Sequence, residues 1–359
     1  MVSMDPNKTA INNRISNMST QLRDILPEVL LSTGYKSELS LNAHIGSKVA
    51  TFVDVKNDII YSPSDFVAKY FQGFKKCLST NANYKTNFDD LYDVFNQSKL
   101  AQEYMIQFLQ RSYLKRYNEF SKKRPAIEEA EIWIGQNASD YGLLVSPRFC
   151  SGNWENDKSE IRRFKSKYWS IGHVISTGLV IPGKDKIYSF FSIQDYLNFF
   201  ENVIVRQSKS KYQTNIAASY SNYVLNAKDP LLIPLLIPEL RYAGREAKHK
   251  YRLDFCIIDG VTMERIGFEF SPSSSHTVIS GTKNKTQKQI NVEAATNFEN
   301  EMEKQKSYFK RFGIFSLIYT DRDLKDMNCV FNDIKKYLSP TESQKALNFH
   351  ALDNFFTTT

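Results

Sequence analysis

Two carboxylates, Asp254 and Glu269, stand in the stretch KYRLDFCIIDGVTMERIGFEFSPSSSH (residues 250–276), where apolar and polar side chains alternate as in a β-hairpin. From Arg252 to Ile258 the alternation puts Leu253, Phe255 and Ile257 on one face and Arg252, Asp254 and Cys256 on the other. From Ile266 to Ser271 it sets Ile266, Phe268 and Phe270 against Gly267, Glu269 and Ser271. Both acids therefore point away from the apolar face. Two registers are open. A four-residue loop pairing Asp259 with Glu264 places Asp254 directly opposite Glu269, Cβ atoms roughly 5 Å apart, and a divalent cation fits between them. A tight Asp259-Gly260 turn keeps both acids on one face but about 13 Å apart. The four-residue loop is preferred. The segment that follows, Ser271 to Lys288, is crowded with Ser, Lys, His and Gln, groups that suit phosphate and water.

The elements that must hold these acids follow from the rest of the C-terminal half. Ser192 starts a helix with Ile193, Tyr196, Leu197, Phe200 and Ile204 inward and Glu201 on its flank, and a further helical piece runs to about Asn226. Asp229-Pro230 breaks the chain. Strands are expected at 235–242, 251–258, 265–270 and 314–319, with helices at 297–311 and about 326–338.

The first half reads as mixed. A short helix is expected around Ser19–Leu31, a strand–turn–strand over Ser47–Pro63, a helix from Ser64 to about Leu78, and a helix from Ser98 to Lys122 whose far face carries Gln107, Arg111, Lys115 and Arg116. That face reads as phosphate-facing or simply solvated. Two short strands, Ile132–Gly135 and Gly142–Ser146, precede a segment in which Arg162, Arg163, Lys165 and Lys167 are interleaved with Trp154, Phe164, Tyr168 and Trp169. Interleaving of this kind tracks a nucleic-acid backbone and stacks on bases, or fills a core.

A chain of 359 residues, 42% hydrophobic and 13% aromatic, is expected to fold throughout and to form two domains. A net charge of +8 favours a polyanionic partner. The four cysteines form no CxxC pair, so a zinc knuckle or disulfide framework is not indicated and a reducing, cytoplasmic compartment is expected. The N-terminal residues lack the apolar run of a signal peptide, and LLIPLLIPEL (231–240) is too short and proline-broken to span a bilayer, so no membrane is implied.

The order helix, three strands, helix, strand, helix, with RLDF followed by GFEFSPSSSH and later EKQKSYFKRFGIFSLIYTDRD, resembles the PD-(D/E)XK nuclease superfamily, nearest its very-short-patch-repair-type branch, over roughly residues 190–338. The resemblance implies a restriction-endonuclease-like α/β domain at 189–359, with a central mixed sheet flanked by helices, behind an N-terminal mixed α+β recognition or partner domain at 1–188. It also implies Mg²⁺ (or Mn²⁺) held by Asp254 and Glu269, with Glu201, or alternatively Glu239, as a supporting acid, and hydrolysis of DNA phosphodiesters in restriction or antiviral defence. Ser271 stands where the family carries its lysine; Lys288 is the expected substitute, with Lys283, Lys285 and His276 behind it. Arg245, Lys248, Lys250 and Arg252 lie beside the expected site and suit phosphate positioning. Partners implied are DNA, a second copy of the chain, and a protein that gates activity. An inactive DNA-binding module on the same fold and a mobile-element DNA-end-cleaving nuclease are the alternatives.

Overall fold

The computed structural model describes residues 6–58, 60, 62–80, 85–120, 131–135, 140–156, 168–260, 262–271 and 286–338. They form a mixed α/β protein whose chain divides into two compact units, one comprising Met1–Pro125 with Val261–Glu264 and the other Ala126–Gly260 with Arg265–Pro340. The division falls well before the expected boundary at 188/189. The reason is hydrogen bonding: Gly135 N donates to Pro238 O at 3.3 Å, Leu235 N to Trp169 O at 2.8 Å, and Arg241 N to Trp133 O at 2.9 Å. Trp133, Gly135 and Trp169 are thereby tied to the C-terminal half.

The first unit is helical: α1 (Pro6–Thr33), α2 (Glu38–Gly46), α3 (Val49–Phe52), α4 (Pro63–Thr80), α5 (Asn87–Asn96), α6 (Lys99–Lys115) and α7 (Tyr117–Phe120). Pro63 opens α4, where a missing N–H and a fixed φ suit the first helical position. Ser98 caps α6 through Ala101 N, and Thr86 and Asp89 close a capping box on α5. Phe66, Tyr70, Phe74, Phe95, Tyr104 and Tyr113 are fully buried at its centre.

Of the strand–turn–strand expected over Ser47–Pro63, the first strand is not there, and the second falls partly outside the described residues. Val49–Phe52 is a turn of helix, and Phe52 stacks on Phe74 at 4.9 Å and meets Tyr70 edge-on, so aromatic packing overrides the β-branched composition. The expected charged face of α6 is divided: Arg111 is buried, with a guanidinium nitrogen 3.5 Å from Ser19 Oγ on α1, whereas Lys115 and Arg116 are exposed.

The second unit carries three sheets. Strands β1 (Glu131–Ile134) and β2 (Tyr141–Leu144) pair antiparallel, close to where two short strands are expected. Strands β3 (Pro147–Cys150) and β4 (Asn153–Asn156) form a hairpin turned by Ser151 and Gly152, both with positive φ (51° and 81°), as a primed two-residue turn requires. After α8 (Ile171–Thr177), β5 (Leu179–Val180) and β6 (Ile187–Tyr188) complete a sheet of order β1-β2-β5-β6.

Next come α9 (Ile193–Phe199), a π-helical turn (Phe200–Ile204), a 3₁₀ turn (Val205–Ser208) and α10 (Lys211–Leu225). Then β7 (Ile237–Pro238), β8 (Phe255–Ile258) and β9 (Arg265–Phe270) form an antiparallel meander; α11 (Gln287–Lys310) leads to β10 (Ile314–Tyr319), which pairs parallel to β9, and α12 (Met327–Leu338) follows. The sheet order is β10-β9-β8-β7.

This sheet is buried on both faces rather than half-exposed: all four residues of β8 and five of six in β9 are buried. Phe255 meets Phe200 and Phe270, while Phe268 meets Tyr337 of α12 edge-on at 5.7 Å. Among the described residues no helix is long and apolar enough to cross a membrane.

Candidate metal centre

The register of β8 and β9 selects the four-residue loop. Phe255 faces Phe268 and Ile258 faces Arg265, so one step beyond Phe255 brings Asp254 opposite Glu269. On the other side Pro238 faces Phe255, and Glu239 N continues the ladder with a 3.3 Å bond to Asp254 O. Glu239, Asp254 and Glu269 thus succeed one another across three neighbouring chain segments. Glu239 takes the left-handed conformation, φ 50°, where β7 ends.

Each acid is held by named donors. Asp254 Oδ2 accepts from Phe270 N at 2.6 Å, and Oδ1 accepts a short bond from Gln213 Nε2, on the first turns of α10. Glu269 Oε1 has the Ser271 hydroxyl 3.5 Å away. Gln213 is 2% exposed, and its Oε1 has no hydrogen-bond partner among the described residues. A buried acceptor with nothing to accept costs free energy unless a donor arrives.

The electrostatics are those of clustered acids out of water. Burial raises the Asp254 carboxyl to about 6, against which the Phe270 N–H and the Gln213 amide pull downward. Glu269 is raised well above the usual carboxylate range, first by burial, then by the charges of Asp254 and Glu239. Among the described residues, the groups that shift either acid include no basic side chain.

The consequence for stability has a definite sign. Because both carboxyls hold their protons more tightly in the folded chain than the ordinary value of about 4, the folded state binds more protons across that window, and stability falls as pH rises through it. In EDTA, the melting temperature is expected to drop by several degrees between about pH 5 and about pH 7.5, and Asp254→Asn should flatten that drop. Scanning fluorimetry across the range checks it; a melting temperature that rises with pH in both proteins would refute the assignment.

The other expected site residues distribute unevenly. Glu201 sits in the π-helical turn and is not among the charges acting on Asp254 or Glu269; Glu239 is, on Glu269. Arg245 is engaged within its own unit, its Nε 2.8 Å from Asp140 Oδ2, a terminal nitrogen 2.7 Å from Glu246 Oε1, and its guanidinium over the Trp133 ring. Lys248, Lys250 and Arg252 are exposed. Lys288 lies in the first turn of α11, which Thr286 and Gln289 open with a capping box. Arg162, Arg163, Lys165, Lys167, His276, Lys283 and Lys285 fall outside the described residues.

Of the interleaved aromatics, Trp169 is fully buried at φ 57° against His173, and Trp154 Nε1 donates to Ile181 O and Lys184 O. Trp169 is a core residue and not a stacking platform. Gln213 is the contact that the sequence concealed: an amide carries no motif, and 41 residues separate it from its carboxylate.

Set against known proteins, the chain matches no protein-family model, no curated protein and no solved structure.

Proposed function

We propose that this chain is a metal-dependent endonuclease of the PD-(D/E)XK type that hydrolyses DNA phosphodiester bonds in restriction or antiviral defence. The observation that carries the reading is the direct juxtaposition of Asp254 and Glu269, half-buried and like-charged, on neighbouring strands. The sequence of elements supports it as well: helix, antiparallel three-strand meander, helix, and a last strand parallel to the third.

The donor set suits Mg²⁺. Carboxylate oxygens are hard ligands, and Mg²⁺ is commonly held by one or two carboxylates with water in its remaining positions. Asp254, which immediately precedes β8, and Glu269, opposite it on β9, would be its protein ligands. Bound there, Mg²⁺ would supply activation of a water and neutralisation of charge on the scissile phosphate. Gln213 fixes Asp254, and its buried, unpartnered Oε1 provides an acceptor suited to a site water.

One departure favours a second reading. Ser271, at the position of the family's lysine, is fully buried; its N–H donates to Tyr319 O at 2.9 Å and its hydroxyl turns to Glu269. If no lysine replaces it, the chain is a DNA-binding module that has kept the fold and lost cleavage; Lys288 is the proposed replacement.

Purified protein incubated with plasmid and linear DNA in Mg²⁺, Mn²⁺ or EDTA separates the readings. Metal-dependent cutting, absent from Glu269→Ala, is the expected result. Binding without cutting under every metal condition would favour the inactive module.

A further inference from the structure

Between the 3₁₀ turn at Val205–Ser208 and the first turns of α10 lies an open cleft of about 620 Å³, lined by Arg206, Lys209 and Lys211 together with the polar Gln207, Ser210 and Thr214. No acidic residue lines it. All three basic side chains are exposed, and none forms an ion pair among the described residues; Lys211 Nζ lies 4.9 Å from the centre of the Tyr212 ring. Lys209 takes the left-handed conformation, φ 55°, uncommon for a residue with a side chain. Three cations sharing one cleft repel each other unless an anion fills it.

The helix that borders this cleft also reaches the carboxylates. Gln213, two positions after Lys211, is buried and bonded to Asp254, while Lys211 and Thr214 line the cleft. The first turn of α10 therefore fixes Lys211 relative to Asp254, while Arg206 and Lys209 stand on the turn just before it. Acids that would hold a cation cannot themselves attract a polyanion, so a cationic seat at the start of the helix that reaches them supplies what they lack.

We propose that Arg206, Lys209 and Lys211 seat backbone phosphates of the nucleic acid beside the site being cut, a role distinct from that of the metal-holding acids. The inference rests on the nuclease reading for the identity of the polyanion. Contacts of this kind position a strand and carry no sequence information.

The test reads binding alone, in EDTA, so that a failure of catalysis is separable from a failure of the cleft. Anisotropy of a fluorescein-labelled duplex of about 30 base pairs is followed against increasing KCl for the full chain, Glu269→Gln, the triple variant Arg206→Gln, Lys209→Gln, Lys211→Gln, and a charge-matched triple in the helical unit, Lys75→Gln, Lys76→Gln, Lys115→Gln. The cleft variant should bind at least tenfold more weakly, with a salt slope shallower by about 2 to 3. The charge-matched control should bind as the parent does, and Glu269→Gln, which removes one charge that repels the strand, should bind no more weakly. An unchanged affinity and slope in the cleft variant, an equal loss in the control, or a parent chain that binds no DNA would overturn the proposal. So would displacement of the duplex by low millimolar inorganic phosphate, which would make the cleft a small-anion site.

Discussion

Glu269→Gln is expected to melt at a higher temperature than the parent protein in EDTA near neutral pH, and to cut DNA roughly a thousandfold more slowly or not at all. The two effects share one cause. Glu269 is half-buried beside Asp254, and Glu239 adds further negative charge, so near neutral pH the fold is destabilised by like charges held together with little water around them. Glutamine preserves the shape and keeps an oxygen for the Ser271 hydroxyl while removing the charge. Asp254→Asn should lose cleavage equally but gain less stability. Its carboxylate accepts from the Phe270 N–H and the Gln213 amide, and an amide nitrogen in place of one oxygen would confront a donor. Stability gained as activity is lost identifies carboxylates kept for function. Thermal melts paired with plasmid cleavage decide the matter: a variant that melts lower and cuts normally would show the acids to be structural.

The second large effect is expected far from the acids. Gly73→Ala, in the middle of α4, should destabilise the helical unit by about 3 kcal/mol or more. An alanine inside a helix ordinarily gains about 1 kcal/mol over glycine, so the predicted sign is reversed. A β-carbon on Gly73 would lie 2.0 Å from the carbonyl oxygen of Phe52, at the end of α3, and a backbone carbonyl has no rotamer by which to step aside. The two helices would have to separate, breaking the stacking of Phe52 on Phe74. Gly46→Ala is the internal control, because its nearest neighbour would be Phe108 at an ordinary 3.7 Å. Urea unfolding followed by circular dichroism measures both; a Gly73→Ala protein as stable as Gly46→Ala would refute the close contact.

The pairing of Asp254 with Glu269 was legible because alternation fixes which residues share a face, and the hairpin's loop length then fixes who stands opposite whom. Which of Glu201 and Glu239 adjoins the pair stayed open. A uniform helical period from Ser192 puts Glu201 on the flank of the helix, but the helix changes at Phe200–Ile204 to π geometry, which shifts the phase of every later side chain. Glu239 and Gln213 reach the pair through contacts made only on folding, one across a strand ladder and one from α10. Trp169 shows the same limit from the other side: basic neighbours made it look like a stacking residue, and only its burial against His173 assigns it to the core. In the first half, Val49–Phe52 has strand composition, yet burial of Phe52 among aromatic rings makes it helical.

The brevity of β7 bears on how two copies of the chain could associate. It is two residues long, contains Pro238, which has no N–H to offer, and ends where Glu239 turns to positive φ. A border so short and so poor in donors offers no template for an incoming strand. Cutting both strands of a duplex with paired copies would therefore call for side-chain packing or the opposite border at β10, and a continuous sheet shared through β7 is disfavoured by this geometry.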